Sequence, residues 1–202
     1  MIFVFVLVSA GELTGQWLTG YVYRKKIEIS GDNVYGAADL AHYPLLVSLI
    51  DPDREEFLNP ASMTDAIADF CRQTGQPVPA NEGAYIRCCL ESLAMQYSRV
   101  LEMLSDVYKK SFDTIHIVGG GTQNKLLNQF TADAAGTRVI AGPLEATIIG
   151  NIIIQAIGMG HIKDLSEGRQ IIRNSFDLET YAPQQTDQWD QQYERFMKLK
   201  NS

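Results

Sequence analysis

The residues best suited to ligand chemistry lie in the segment "HIVGGGTQN", His116 to Asn124, where three consecutive glycines follow a short apolar run. Glycines lose more backbone entropy on folding than other residues, so an unusual φ angle or a close approach to the backbone must compensate. Gly119, Gly120 and Gly121 are therefore candidate ligand-contact residues. Asn124 closes the segment, and its side chain can both donate and accept hydrogen bonds.

The glycine segment lies between a predicted strand, "TIHIV", and a predicted helix from Asn124 to Ala135 that Gly136 ends. In that position, backbone N–H groups and the positive end of the helix dipole face an anion or a polar ring. The segment does not match the Walker loop, which requires G-x-x-x-x-G-K-[ST]. It does not match the dinucleotide fingerprint G-x-G-x-x-G either, because Asn124 occupies the place of the third glycine. The pattern alone leaves a nucleotide site and a tight structural turn equally open.

Strand and helix signals alternate along the chain, which predicts an α/β fold with a mixed sheet and helices packed against it. The opening "MIFVFVLVSA" predicts a buried strand, because it lacks the positive region of a signal peptide and is too short to span a bilayer. The helical period of "CLESLAMQYSRVLEMLSDVY" predicts an amphipathic core helix. The segment "EATIIGNIIIQAIGMG" is apolar on nearly every side, so we expect a buried helix that Gly160 ends.

Three further helices are predicted from start signals and periodicity. Asn59 and Pro60 fit the cap and first residue of a short helix. Ser166 is the candidate cap of a helix that reaches Arg173. The polar, glutamine-rich segment 183–202 predicts a peripheral helix, whose thin apolar stripe consists of Trp189, Tyr193 and Phe196.

The composition limits the classes of partner that the protein can bind and indicates the cellular compartment. The chain carries 17 Lys and Arg against 24 Asp and Glu, a net charge of −7 that would repel a nucleic-acid backbone. Three cysteines are too few for a disulfide framework, which favours a reducing cytoplasm. Cys71 and Cys88 could pair across a proline-rich turn, and buried free thiols are the alternative. The sequence shows no metal-ligand spacing and no segment long enough to span a membrane, so we expect neither metal-ligating residues nor a membrane-spanning helix.

The segment "HIVGGGTQNKLLNQFTADAAGTRVIAGPLEATIIGNIIIQAIGMG" resembles the C-terminal domain of the FGGY carbohydrate kinases. The similarity extends upstream through "SLIDPDREEFLNPASMTDAIADFCRQTGQPVP", "YIRCCLESLAMQYSRVLEML" and the "LTGQWL" segment near Thr14 to Leu18. Its most distinctive pieces are the Asp-Pro-Asp and Asn-Pro pair around residues 51–60, the Gly-Pro-x-Glu-Ala-Thr run at Gly142 to Thr147, and Gly150-Asn151.

The resemblance implies an actin-like, ribonuclease-H-like α/β domain with a mixed sheet and flanking helices. It assigns residues 12–182 to the adenosine-binding C-terminal domain of such a kinase. We expect the apolar residues 1–11 to mark a truncation edge. Residues 183–202 are expected to form the peripheral C-terminal helix.

The resemblance also implies phosphoryl transfer from ATP with Mg²⁺ to a ketose sugar. Gly120 matches the nucleotide-contact glycine of the family, and Asn124 matches an adenine-facing amide. The alternative for Asn124 is a helix N-cap, a role that asparagine fills well. Glu145 is a candidate third site residue, and the helix dipole explains a glutamate at that position equally well.

Several parts of the family's reaction have no counterpart in this sequence. The phosphate-binding Asp-x-Gly-Thr motif and the base aspartate of the N-terminal domain are absent, so no catalytic residue is assigned. Glu12 and Gly20 replace a substrate-contact asparagine and a nucleotide-contact glutamine of the family. We therefore expect the chain to be inactive alone, to need an N-terminal kinase domain as partner, and to self-associate through the face that this domain would cover.

Two other functions compete with the kinase interpretation. One is a non-catalytic nucleotide-binding or interaction module, which would bind ATP without turnover. The other is a dinucleotide-dependent oxidoreductase, which requires an acidic residue about twenty positions beyond the first loop glycine to hold the ribose. The apolar "RVIAGP" occupies that stretch, which excludes the oxidoreductase.

Overall fold

The computed structural model describes residues 40 and 42–200 with their side chains, and residues 2–9 and 18–25 by their backbone. Its sheet has five strands in the order β2-β1-β3-β4-β5. Strands β3 and β4 are parallel and every other neighbouring pair is antiparallel, so the predicted mixed sheet is confirmed. The strands are β1 (Ile2–Ser9), β2 (Leu18–Lys25), β3 (Thr114–Val118), β4 (Arg138–Ala141) and β5 (Glu179–Tyr181).

Six α-helices accompany the sheet in the described part of the chain. They are α1 (Met63–Gln73), α2 (Glu82–Tyr108), α3 (Lys125–Ala135), α4 (Ala146–Gly158), α5 (Leu165–Ser175) and α6 (Thr186–Lys200). Short 3-10 helices occupy Glu55–Phe57 and Gly119–Gln123. Within the described residues, no helix has the length and apolar character needed to cross a membrane.

Two predicted helix starts are wrong by a few residues. Helix α1 is capped by Ser62, whose Oγ accepts a hydrogen bond from the Asp65 N–H, and not by Asn59. Helix α5 is capped by Asp164 and not by Ser166, because the Asp164 Oδ1 accepts the Glu167 N–H at 3.0 Å. In both places several residues with capping oxygens lie close together in the sequence, and only one has its oxygen within reach of the N–H three residues on.

The main core lies between one face of the sheet and helices α2, α3 and α6. Ile115 and Val139, paired across β3 and β4, are both fully buried there. Helix α6 packs on this core through its predicted apolar stripe, because Trp189 and Phe196 keep only 1% and 0% of their surface exposed. The Trp189 ring lies 5.3 Å from the ring of Phe130 on α3, so the thin stripe of α6 completes the core.

Helix α4 is more exposed to solvent than its sequence predicts. Its sequence predicts burial on all sides, whereas Ile153 is its one buried residue. Ile148, Ile152 and Ile154 expose 57%, 59% and 57% of their surface. Among the described residues, no element covers this outer side of the helix.

A buried ion pair and three buried thiols complete the interior. Arg87 Nη2 lies 2.6 Å from Glu91 Oε1, and both residues are buried on α2. Glu91 Oε2 also accepts the Leu46 N–H at 2.8 Å, which fixes the segment before α1 against α2. Cys71, Cys88 and Cys89 are all buried and none of them forms a disulfide bond with a described residue, so Cys71 and Cys88 are thiols and do not pair. The "LTGQWL" segment up to Trp17, and Glu12, lie outside the described residues.

Candidate nucleotide-binding site

The three glycines form a tight 3-10 turn at the carboxyl end of β3. Gly119 has φ +77°, a left-handed conformation that favours glycine. The Thr122 hydroxyl donates to the Gly119 carbonyl at 2.8 Å and closes the turn. Gly121 is buried under it. Two of the three glycines are therefore explained by the shape and packing of the turn itself.

Gly120 has no such internal explanation. It is exposed, its φ lies outside the left-handed region, and a Cβ at this position would meet no atom of the described chain within 4 Å. A side chain would fit here as far as the described residues are concerned. Glycine at this position therefore keeps an outward-facing stretch of backbone accessible, as a ligand that lies against the backbone would require.

A second loop meets the glycine turn at the same edge of the sheet. Because β3 and β4 are parallel, the loops after them lie side by side, which is where ligands bind in many α/β folds. The Gly142 N–H donates to the Ile117 carbonyl at 2.8 Å, and the Gly119 N–H donates to the Pro143 carbonyl at 3.2 Å. Glu145 follows two residues after Pro143, in the same loop.

Asn124 is the N-cap of α3. Its Oδ1 accepts the backbone N–H of Leu127 at 3.0 Å, so the capping interpretation is confirmed. Its Nδ2 donates no hydrogen bond to any described residue, and the side chain is partly exposed. The two interpretations are therefore compatible, because the oxygen caps the helix while the NH₂ group can still donate to a ligand.

Asn128 is a site residue that the sequence interpretation missed. It is fully buried, and its Nδ2 donates to the Thr122 carbonyl at 3.0 Å, which supports the glycine turn from below. Its Oδ1 is buried and has no hydrogen-bond partner within the described residues. The available signal was its place one helical turn after Asn124, on the same side of the helix.

Glu145 begins α4 without capping it. It occupies the N-cap position, and its side chain makes no capping hydrogen bond. Its exposed carboxylate is the one acidic group in the two loops, residues 119–124 and 142–145. Both interpretations of Glu145, a site residue and a favourable charge at a helix start, remain consistent with this position.

His116 lies in β3 just before the glycine turn. Burial, together with the nearby guanidinium groups of Arg138 and Arg173, lowers the pKa of His116 to about 4. The imidazole is therefore neutral near pH 7 and contributes no positive charge to the site.

Comparison with known families places the chain in one of them. Residues 6–159 match the model of the C-terminal domain of the FGGY family of carbohydrate kinases. The chain belongs to this family. Of the candidate residues, Glu12 lies outside the described part of the chain, and Gly20 falls within β2.

Named relatives agree with the family match. The chain is 50% identical over 149 residues to rhamnulokinase of Bacteroides thetaiotaomicron, covering 74% of this chain and 31% of the relative. It is 38% identical over 188 residues to rhamnulokinase of Pectobacterium atrosepticum, covering 93% of this chain and 37% of the relative. The chain thus spans about a third of the length of these relatives.

One solved structure is also similar. The crystal structure of gluconate kinase from Lactobacillus acidophilus aligns with a TM-score of 0.49 and 15% sequence identity. The alignment covers 60% of this chain and 24% of that one.

Proposed function

We propose that this chain supplies the adenosine-binding half of a carbohydrate kinase that transfers a phosphoryl group from ATP to O1 of L-rhamnulose. Membership of the FGGY family and the high identity to two rhamnulokinases support the reaction and the sugar. The three buried cysteines, none of them in a disulfide bond with a described residue, support a reducing cytoplasmic location.

The observation that carries this proposal is Gly120. The turn needs glycine at position 119 for its φ angle and buries the glycine at 121, but the described chain itself places no demand on position 120. A nucleotide that lies against the backbone at this position would explain why residue 120 is also a glycine.

The proposed roles follow from the geometry. Gly119, Gly120 and Gly121 let the backbone approach the adenosine, and Asn124 Nδ2 donates to a ring nitrogen of adenine while Oδ1 holds α3. Asn128 positions the turn through the Thr122 carbonyl. Glu145 is the one carboxylate in the two loops, and a single carboxylate beside backbone N–H groups and amides is too small a set of oxygen ligands to hold Mg²⁺ by itself, so the metal is proposed to arrive with the phosphates of ATP.

Phosphoryl transfer depends on positioning the reactants and neutralising their charge, with a carboxylate that accepts the hydroxyl proton. We assign no such base and no phosphate-binding loop to the described residues. They are proposed to come from the kinase part that the relatives have and this chain does not match. The pure chain should therefore form no ADP from ATP and L-rhamnulose.

The proposal is tested by Gly120→Val in the chain combined with the remaining part of the Bacteroides thetaiotaomicron rhamnulokinase. A branched side chain would occupy the ligand space, so ATP affinity measured by calorimetry should fall below detection. The melting temperature should change little, because the position is open. Unchanged ATP affinity would make the glycine segment a structural turn only.

Gly75→Val is the matched control. Gly75 is also exposed and open, but its φ is +67°, so a side chain there should cost about 1–2 kcal/mol of stability through backbone strain and leave ATP affinity intact.

Turnover assays with L-rhamnulose, L-fuculose and xylulose identify the sugar. ATP binding without turnover of any sugar would favour the non-catalytic module.

A further inference from the structure

The first residues of β5 form a third side of the candidate nucleotide site. Glu179, where β5 begins, pairs with Ala141, the residue before the Gly142 loop. The segment that leads into β5 also packs on that loop, because a Cβ at Gly142 would lie 2.9 Å from Leu178 Cδ2. The glycine turn, loop 142–145 and the start of β5 therefore lie side by side at one edge of the sheet.

An ion pair joins the start of β5 to the start of α3. Lys125 directly follows Asn124, and its Nζ lies 2.6 Å from Glu179 Oε1. The Tyr181 hydroxyl donates to the other carboxylate oxygen, Oε2, so both oxygens of Glu179 have a partner. The contacts with Lys125 and Tyr181 hold the pKa of Glu179 below its usual range, so the carboxylate is ionised at neutral pH.

This ion pair closes a ring of contacts around the candidate site. The glycine turn donates to loop 142–145 through the Gly119 N–H, whose nitrogen lies 3.2 Å from the Pro143 carbonyl oxygen. That loop packs on the start of β5, which the ion pair joins to the start of α3. The start of α3 returns to the glycine turn, because the Asn124 N–H donates to the Gly121 carbonyl at 3.2 Å. Each link of the ring therefore constrains the position of Asn124.

The ion pair has little influence on the stability of the fold. Lys125 and Glu179 expose 67% and 48% of their side chains, and ion pairs with such exposure contribute little to stability. The other end of α3 is anchored independently, because the buried Asp133 accepts the Gln184 N–H at 2.7 Å. Loss of the ion pair would therefore release the first turn of α3 and leave the rest of the helix in place.

We propose that Lys125 and Glu179 are positioning residues that hold the Asn124 amide against the adenine of ATP, an inference that rests on the proposed function because adenine must lie at Asn124. Lys125 acts through Glu179 and does not itself contact the nucleotide. The ion pair therefore affects the affinity for adenine nucleotides and leaves the chemistry of phosphoryl transfer unchanged.

The test measures nucleotide affinity in the two-part kinase, in which the chain is combined with the remaining part of the Bacteroides thetaiotaomicron rhamnulokinase. Lys125→Met and Glu179→Gln should each weaken ATP binding by about threefold in calorimetry. GTP binding should stay as in wild type, because the contact that is displaced is specific to adenine. Lys125→Arg keeps the ion pair and should recover the lost affinity. In steady-state assays of Lys125→Met, KM for ATP should rise while kcat stays unchanged.

Two double variants separate positioning from direct contact. Lys125→Met with Glu179→Gln should bind ATP as weakly as either single variant, because the two residues act as one pair. Lys125→Met added to Asn124→Ser should weaken binding no further, because the amide that the pair positions is already absent. Additive losses in either combination would show that the residues act independently on the nucleotide, which would overturn the inference.

Hydrogen exchange of the Leu127 N–H tests the same role in the chain by itself. Asn124 Oδ1 accepts this N–H at 3.0 Å, so its exchange should quicken by at least about threefold in Lys125→Met if the pair holds the first turn. Arg72→Met is the matched control, because it breaks an exposed pair with Asp69 on α1, which contributes no residue to the site. It should leave both the exchange rate and ATP affinity as in wild type. An unchanged value of either quantity in Lys125→Met, or equal changes in Arg72→Met, would overturn the inference.

The two proposals fail in different ways. If Gly120→Val abolishes ATP affinity while Lys125→Met binds ATP as wild type does, the positioning role is wrong and the proposed function stands. If Gly120→Val leaves ATP affinity unchanged, the nucleotide site and the positioning role are both wrong.

Discussion

The amide oxygen of Asn124 accepts the backbone N–H of Leu127 at 3.0 Å, one turn into α3. This contact uses the oxygen to cap the helix, whereas the NH₂ group of the same side chain donates no hydrogen bond to a described residue. One residue can therefore set the start of the helix behind the glycine turn and contact a ligand in front of it. The two functions of Asn124 can be separated by substitution.

Asn124→Ser should keep the cap and lose the amide donor. Serine caps a helix as well as asparagine, so the free energy of unfolding should stay within about 0.5 kcal/mol of wild type. ATP affinity in the two-part kinase should fall by about fivefold to tenfold, because a hydrogen bond to adenine is lost. Urea denaturation and calorimetry measure the two quantities.

Asn124→Ala is the companion variant, because it removes both the cap and the donor. It should cost about 1 kcal/mol of stability and lower ATP affinity by the same factor as Asn124→Ser. If Asn124→Ser binds ATP as tightly as wild type, Asn124 is a cap only.

Local signals in the sequence predict the site better than they predict the packing around it. The strand "TIHIV", the turn, the Asn124 cap and the Gly136 terminus all depend on residues within a few positions of one another, and all are confirmed. The burial of Trp189 depends on α3, which is far away in the sequence, so a thin stripe read by itself predicts a peripheral helix. Asn128 was missed for the same reason, since its role depends on the carbonyl of Thr122 above it.

Trp189→Ala should destabilise the chain strongly, although Trp189 lies in the last helix. The side chain is 1% exposed and packs against Phe130, so its removal should leave a cavity that costs about 3–5 kcal/mol. Gln188→Ala, one residue away on the exposed side, should cost less than about 0.5 kcal/mol. Equal unfolding midpoints in urea for the two variants would show that α6 is an appendage.

Arg87→Met should lower the free energy of unfolding by more than the removal of an exposed arginine does. Glu91 lies in the interior, where burial raises its pKa although Arg87 opposes the shift. Removing Arg87 leaves that carboxyl without its counterion, which should cost about 3–5 kcal/mol at neutral pH. Arg72→Met, which breaks an exposed pair with Asp69, should cost less than about 1 kcal/mol.

The double variant Arg87→Met with Glu91→Gln checks the cause. A glutamine is neutral and can still accept the Leu46 N–H, so the double variant should be more stable than Arg87→Met alone. If the double variant is no more stable than Arg87→Met alone, the stability lost with the arginine comes from its packing over the Phe130 ring, 4.8 Å away, and not from the charge of Glu91.

His116 should make the chain sensitive to mild acid. Its pKa is lowered to about 4 in the folded chain, whereas an exposed histidine titrates near about 6.5. As the pH falls below 6.5, the unfolded chain takes up a proton that the folded chain does not, so stability decreases until about pH 4, where the folded state also becomes protonated. The full difference in the free energy of unfolding amounts to about 3 kcal/mol.

His116→Gln and His116→Leu both remove this titration, so the stability difference between wild type and either variant should shift by that amount between pH 7 and pH 4, measured by urea denaturation. The shift should be the same for both variants, although their absolute stabilities differ. A constant difference across this range would mean that the imidazole is protonated as readily in the folded chain as in the unfolded one.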